Sequence, residues 1–536
     1  MDFYGEINLK QNAMQQMVVQ TETNFPETPV VGRVVFKDAK LYMCVAINNL
    51  IPVWLPLTNK IDTYVHSEAV ASTTWTVNHG MNTTIPLIQV YDEEGEMLIP
   101  ESATPLDNNN MTITFNVAVS GTAIVLFGEL IPQSGVGLLE PEIVASFVLT
   151  FTLDNPDVYG SAVNDFFGGA VAIDGNNCIV GAIGEDDIEG NNSGKAYIFN
   201  VTTGALIHTL DNPNPIGASS SDFFGKRVAI SGNNCVVTAP SEDVGGSGSG
   251  IAYIFNVTTG ALLQTINNPN SFDAFSGDNF GESASISGNN VIVGAPNEDD
   301  AVGGSTGIAY IFNVTTGALL QTLDNPTPSA ADTFGDAVSI SGNNCIVGAR
   351  RDDADGNNSG KAYIFNVTTG ALIHTLDNPS GFGTNLDDNF GNAVSIDGNN
   401  CIVGAEGEDE TGSSQAGKVY VFNVTTGALI QTIDAPTGDN YLAKMGDELD
   451  LSGDKCILSR NPYTYYATND AQQAFVFDIN TGALLLTIDN PNPEGSPEGD
   501  TFSTGVGIDG DNVIVGAPNE DEPGENNSGK AYLYTI

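Results

Sequence analysis

Sixty-six Asp and Glu residues in a chain of 536 hold most of the chemical potential of this sequence, and they recur in clusters. The clusters are Glu185-Asp186-Asp187, Glu242-Asp243, Glu298-Asp299-Asp300, Asp352-Asp353-Asp355, Glu408-Asp409-Glu410 and Glu520-Asp521-Glu522. Hard oxygen ligands at alternating positions suit a divalent cation, and Asp353-Ala-Asp355-Gly-Asn357 is the loop best suited to weak calcium binding. The competing reading is a solvated acidic rim that keeps the protein soluble. A second candidate is the stretch Leu458-Ser-Arg460-Asn-Pro-Tyr463-Thr-Tyr465-Tyr466, with Tyr441 ahead of it. Aromatic rings stack on sugars and phenol tips hydrogen-bond, so Arg460, Tyr463, Tyr465, Tyr466 and Tyr441 form a candidate glycan-binding platform. The alternative is a degenerate segment whose tyrosines fill space. Arg350 and Arg351 make a weaker second patch.

Covalent and redox chemistry finds less support. Cys178, Cys235, Cys345, Cys401 and Cys456 each follow Asn-Asn or Asp-Lys in a recurring phrase, and Val291 and Val513 fill the same position elsewhere. Exchange with Val marks a small buried hydrophobe, and Cys44 stands alone. His208 and His374 occupy a position where sister segments have Gln264, Gln321 and Gln431, which reads as an outer, solvated strand face. His66 and His79 have no nearby Cys or His. No Ser-His-Asp or Cys-His set can be assembled, and no Gly-rich phosphate loop leads into a helix. No catalytic residue is assigned. Asn200-Val-Thr202 and its copies at Asn256, Asn313, Asn366 and Asn423 match the glycosylation sequon, but each sits in the same hairpin and reads as turn chemistry.

Sixteen Lys and Arg against 66 acids leave a formal charge of −50. Such a surface repels phosphate backbones and anionic lipid heads, which excludes nucleic acid as a partner. With 41% hydrophobic residues the chain is no disordered acidic tail. Sixty Gly, 25 Pro and little helical spacing read as all-β. The N-terminal Met-Asp-Phe-Tyr-Gly-Glu lacks a basic region followed by an apolar core, so no Sec signal peptide is expected. No run reaches the ~18 apolar residues of a membrane span, and no membrane insertion is expected.

The architecture follows from repetition. Gly-Asn-Asn-Cys-Ile-Val-Gly-Ala begins at Gly175, with close copies from Gly232, Gly288, Gly342 and Gly398 and degenerate ones from Gly453 and Gly510. These seven units recur with a period of roughly 56 residues. Each holds four strand-like segments; in the first they are A (about 169–174), B (about 178–182), C (about 195–200) and D (about 205–210). Seven sets of four antiparallel strands are the arithmetic of a seven-bladed β-propeller. The last unit stops after strand C, and Ser146-Phe-Val-Leu-Thr-Phe-Thr-Leu-Asp-Asn-Pro, ahead of the first unit, repeats the register of a strand D. An N-terminal strand is therefore expected to complete the last blade and remove a free edge. The acidic clusters and the long D–A connections then share one face, and the short turns occupy the other.

Phe167-Gly168 and Gly294-Ala295-Pro296, with their copies, resemble the FG-GAP repeats of integrin α-type propellers over residues 146–536. Calcium-binding members of that family carry an Asp-x-Asp-x-Asp-Gly-like loop between strands A and B. Here only Asp-Gly-Asn-Asn or Ser-Gly-Asn-Asn stands there, too short for six oxygen ligands, so calcium is not carried over to it. Residues 27–60 look like the short β module near the attachment end of bacteriophage tail-fibre and other virion proteins. Residues 72–129, with Trp75-Thr-Val-Asn-His-Gly-Met and Met111-Thr-Ile-Thr-Phe, are similar to a small β-sandwich module of tail fibres and receptor-binding proteins. These resemblances imply three parts: a virion-attachment β module (1–66), a tail-fibre-like β-sandwich (67–140) and the propeller (141–536). They imply a non-enzymatic virion structural protein, made in the host cytoplasm and present in several copies per tail. It would join other tail proteins through residues 1–140 and offer its propeller to a host-surface glycan or protein, with no cofactor required. Two alternatives stay open, a polysaccharide-active tail enzyme and a purely architectural or decorative protein; an integrin-like cellular adhesin is disfavoured.

Overall fold

A computed structural model of the chain describes the backbone of nine strands between Val19 and Gly128, and residues 148–535 except 157–163, 187–191, 214–220, 244–247, 271–276, 300–303, 354–357, 380–386, 410–414, 437–443, 461–471, 492–499 and 521–526. Every regular element among the described residues is a strand. No helix there is long and apolar enough to cross a membrane. Two compact units divide between Ser146 and Phe147, a few residues beyond the expected 140/141 boundary.

In the N-terminal unit one sheet runs Val19–Thr21, Val34–Lys37, Lys40–Asn48, Ile51–Leu57. A second is organised around Asn110–Gly128, which pairs with Ile61–Asn78, Leu87–Tyr91 and Ser102–Pro105. The expected 66/67 boundary falls inside Ile61–Asn78, so the second sheet starts earlier than the sequence division places it.

The second unit is the seven-bladed propeller, seven separate four-stranded antiparallel sheets. In blade 1, strands A to D are Phe167–Asp174, Asn177–Ala182, Lys195–Asn200 and Leu206–Asp211. Blade 7 takes its strand D, Val148–Asp154, from the N-terminal side of the ring, and it pairs with strand C, Lys530–Thr535. The expected closure is therefore present.

Blades hold together through the layers between them. Phe167 is fully buried and meets Tyr197 and Phe199 edge-on, at ring-centroid distances of 5.6 and 6.0 Å. It packs with Ile514, Ala531, Leu533 and Leu153 of blade 7, so an apolar layer crosses the chain-end seam. The glycine after that phenylalanine has a positional role. A Cβ on Gly516 of blade 7 would stand 1.9 Å from the Gly168 carbonyl oxygen, so two neighbouring backbones touch where side chains would force them apart. The five repeated cysteines are fully buried in these layers, and burial pushes each thiol up to about 12. They are the small hydrophobes the Val exchange implied.

Polar contacts repeat around the ring as well. The strand A residue opening each A–B turn accepts a hydrogen bond from the glycine N–H of the next blade. Gly175 donates to Asp509, Gly232 to Asp174, Gly288 to Ser231, Gly342 to Ser287, Gly398 to Ser341, Gly453 to Asp397 and Gly510 to Ser452, at 2.5–3.2 Å. The cycle is complete across all seven blades. Farther out, His208 Nε2 meets the Thr258 carbonyl of the next blade at 2.9 Å, and Gln264, Gln321, His374 and Gln431 do the same at 2.7–3.2 Å. The His/Gln position is thus an inter-blade clasp and not merely a solvated face; both side chains can extend an N–H to the same reach. Blade 7 has no C–D turn to supply a carbonyl, and blade 6 carries Leu486 at the matching place. The sequon asparagines are turn formers: Asn200 Oδ1 accepts from the Thr203 N–H and hydroxyl, both at 2.9 Å, and Asp478 does the same in blade 6.

Two outcomes follow. Leu153→Ala, which opens a cavity at the seam, is expected to destabilise the propeller by about 2–4 kcal/mol, and Asp509→Ala by about 1 kcal/mol, read from the shift of the propeller's calorimetric or denaturant transition. The five buried thiols are expected to stay unreactive towards Ellman's reagent in native buffer and to react together on unfolding. Native-state labelling at any of them would contradict the packing.

Candidate functional site

Two regions vary from blade to blade and are therefore the places where a site can differ from scaffold: the loop face and the central channel. On the loop face the acids lie deeper than an acidic rim would put them. Glu185, Glu408 and Glu520 are 0% exposed, Glu298 and Asp352 1%, Glu242 2%. The hydroxyls of Tyr197, Tyr253, Tyr363 and Tyr532 on strand C donate to Glu185, Glu242, Asp352 and Glu520 at 2.6–3.0 Å. Burial, together with the neighbouring carboxylate, holds the Tyr253 and Tyr532 phenols protonated well above the usual range.

Behind each of these acids stands a second carboxylate, from the residue two before the Phe-Gly phenylalanine. Asn268 Nδ2 donates to Asp278 at 3.0 Å and to Glu298 at 3.1 Å; Asn378 Nδ2 does the same to Asp388 and Glu408 at 2.9 and 3.1 Å. The Asn268 Oδ1 is occupied by the Asn270 N–H at 3.0 Å, so the amide must turn its donors towards the carboxylates. A donor aimed between two carboxylates opposes a cation and favours their charged forms, while burial and mutual repulsion work the other way. Burial and then the Asp278 charge push Glu298 up to about 7, and burial and then Glu408 push Asp388 up to about 7. Burial pushes Asp332 up to about 6.

The next acid in each cluster closes its own loop. Asp186, Asp243, Asp299, Asp353 and Asp409 each accept a backbone N–H five or six residues on, at 2.7–2.9 Å. The reading of these clusters as a solvated rim is corrected for the residues described: the first acid is internal and the second is a loop clasp. Asp353 accepts from Asn358 N–H, while Asp355 and Asn357 lie outside the described residues. Among the described residues no group of three or more His, Cys, Asp or Glu is placed to hold a metal ion.

Blade 6 departs from this plan as a unit. Phe475 replaces the strand C tyrosine, Ala435 the bridging asparagine, Ala443 the second carboxylate and Tyr463 the loop acid. Removing the acids while keeping the tyrosine would strand a buried hydroxyl, so the four polar partners are lost together. Tyr441, Tyr463, Tyr465 and Tyr466 lie outside the described residues. Arg460 does not: it ends strand B at a position where six sisters have Ala, is 4% exposed, and its Nη1 donates to Gln473 at 3.2 Å. It is an interior group rather than an exposed face of the platform. Arg350 pairs with Asp336 at 2.7 Å.

Strand A of every blade lines a central channel of about 370 Å³. At its loop-face end Arg227 of blade 2 reaches across the axis to Glu448 of blade 6, Nη1 to Oε1 2.8 Å, while its Nε donates to the Glu282 carbonyl at 3.2 Å. Glu448 pushes the guanidinium further above its ordinary range. Deeper in, Asp450 accepts from Ser395 Oγ at 3.1 Å and from the Ile508 N–H at 3.0 Å, and burial pushes it up to about 6. Sequence reasoning passed over these groups. Their signal is positional: Arg227 and Glu448 stand where the other blades have Ala170, Ser283, Ala337, Ala393 and Gly505.

With this geometry described, comparison with known proteins adds one result. Residues 160–199, 215–255, 271–312, 326–365, 384–422 and 493–534 match the FG-GAP repeat. The unmatched blade is the sixth, the one that lost its polar quartet. No curated protein matches the chain. The protein is thus an all-β chain with a seven-bladed propeller of FG-GAP repeats, an architecture that suggests a ligand-binding or adhesion module.

The raised carboxyls have a measurable sign. Carboxyls raised in the folded state contribute stability fully below about pH 4, and that contribution is lost as pH rises through about 6–7. The propeller's melting temperature is expected to fall between about pH 5 and pH 8. Asp388→Asn, which cannot ionise, is expected to flatten that slope by about 1 kcal/mol or more. A calorimetric pH series in which the variant keeps the full slope would rule out a raised carboxyl at Asp388.

Proposed function

We propose that this chain is a non-enzymatic structural protein of a bacteriophage virion, a tail, fibre or spike component whose propeller is displayed for host-surface recognition. The observation that carries the recognition half is the contrast between scaffold and loops. Six blades repeat a buried loop acid, a second carboxylate and a strand C tyrosine, while the sixth blade replaces all three and carries residues 461–471, with three Tyr and two Asn, between its strands B and C. Connecting loops on a rigid scaffold are where binding groups are tolerated and varied. The virion half is supported by the resemblance of residues 27–60 and 72–129 to tail-fibre modules, with residues 1–140 joining other tail proteins. Weak contacts with a surface glycan or protein gain strength through the number of copies on one particle. The reading requires no cofactor and no catalytic residue.

The test uses the labelled full-length chain on candidate host cells and on purified envelope glycan. Tyr465→Ala with Tyr466→Ala is expected to lower binding about tenfold or more, without shortening the glycan. Release of shortened glycan would move the polysaccharide-active reading to first place. Absence of binding by the wild-type chain would assign the propeller an architectural role instead.

A further inference from the structure

All fourteen exposed large hydrophobic side chains among the described residues occur at one place in the fold. They are the first two residues of strand D in each of the seven blades: Leu206 and Ile207 in blade 1, Leu262 and Leu263 in blade 2, and so on to Val148 and Leu149 in blade 7. Each is 36–46% exposed. Strand D is the outermost strand of its sheet and starts at the C–D turn, so the pairs form a belt around the ring at its turn side. The blade 7 pair comes from the N-terminal strand, outside the repeat array, and has kept the same character.

We infer that this belt is a docking surface for a second copy of the chain, turn side against turn side. Three properties select that occupant. The first is area. At roughly 70 Å² for each partly exposed side chain, fourteen of them offer on the order of 1,000 Å², enough for one partner's share of a stable interface. The second is charge. The thirteen A–B and C–D turns, with the strand A residues that open them, carry only Asp174, Asp397, Asp454, Asp478, Asp509 and Asp511, and Lys455 is paired with Asp511 at 2.6 Å. Residues 146–536 hold fifty acids, and these turns with their opening residues carry six of them. Between two propellers this side therefore meets less like-charge repulsion than the acid-bearing loop face. The third is spacing: one aliphatic pair per blade, displaced by a single residue in blade 7, matches a partner with the same seven-fold repeat, which a second propeller supplies through a self-complementary contact.

The inference stands apart from the virion reading and fails separately from it. Its test is the mass in solution of the full-length chain at micromolar concentration, in low salt and in about 0.5 M salt, where screening weakens the repulsion between like-charged copies. The wild-type chain is expected to have twice the mass of a Leu263→Glu, Leu320→Glu, Ile373→Glu variant, with the larger species favoured by salt. A Leu263→Thr, Leu320→Thr, Ile373→Thr variant, neutral and strand-compatible, guards against misfolding and is expected to halve the mass too. Equal masses for wild type and the Thr variant overturn the inference. A wild-type chain that stays single at both salts overturns it as well; if that chain binds vesicles of zwitterionic lipid, the belt belongs to lipid.

Discussion

A closed ring has no first blade, but a chain has two ends, and the hydrogen bond from the Gly175 N–H to Asp509 joins them. It is the seventh member of a cycle whose other six run between consecutive units. Its geometry depends on blade 7 being whole, which depends in turn on Val148–Asp154 lying beside Lys530–Thr535. Around that seam the apolar layer of Leu153, Phe167, Ile514 and Leu533 continues as at any other blade boundary. The channel, the clasps and the loop face all inherit their spacing from this closure.

The same economy explains how so acidic a chain folds. The first acids of its loop clusters are spent inside the propeller as acceptors for tyrosine hydroxyls and asparagine amides, and the second acids as acceptors for backbone N–H groups. Where two sit close together, as Asp278 with Glu298, one asparagine amide donates to both. The cross-axis ion pair of Arg227 with Glu448 links blades 2 and 6 through the channel instead of along the ring. Blade 6 shows the rule by exception: once its asparagine and carboxylates are gone, its strand C tyrosine is phenylalanine.

Much of this was legible before any coordinates. Seven phrases, four strands in each and a displaced strand D led to the ring and its closure, because period and turn residues act locally. The Cys/Val exchange located a buried layer for the same reason. What stayed hidden was pairing across blades. His208 looked solvated because its partner, the Thr258 carbonyl, is 50 residues away and is backbone. The acidic clusters looked like surface because charge usually is; their burial depends on Tyr197 and its equivalents, 11 or 12 residues downstream on strand C. Arg460 looked like part of an exposed patch, although its alignment with six buried alanines already placed it inside. Comparing repeats column by column, and not only phrase by phrase, carries that information.

The seam also sets how the propeller responds to pulling. The chain enters strand D of blade 7 at Val148 from the turn side, and the pairs from Val148–Thr535 to Asp154–Lys530 lie one after another along the direction of entry. A tug on residue 147, resisted by something gripping the loop face, runs along the strand rather than across it. The rungs are then loaded in shear, all at once, and Lys530 locked to Asp154 at 2.7 Å anchors the far end. A ring closed by its own leading strand therefore takes tension along the ladder of the blade that joins the two chain ends.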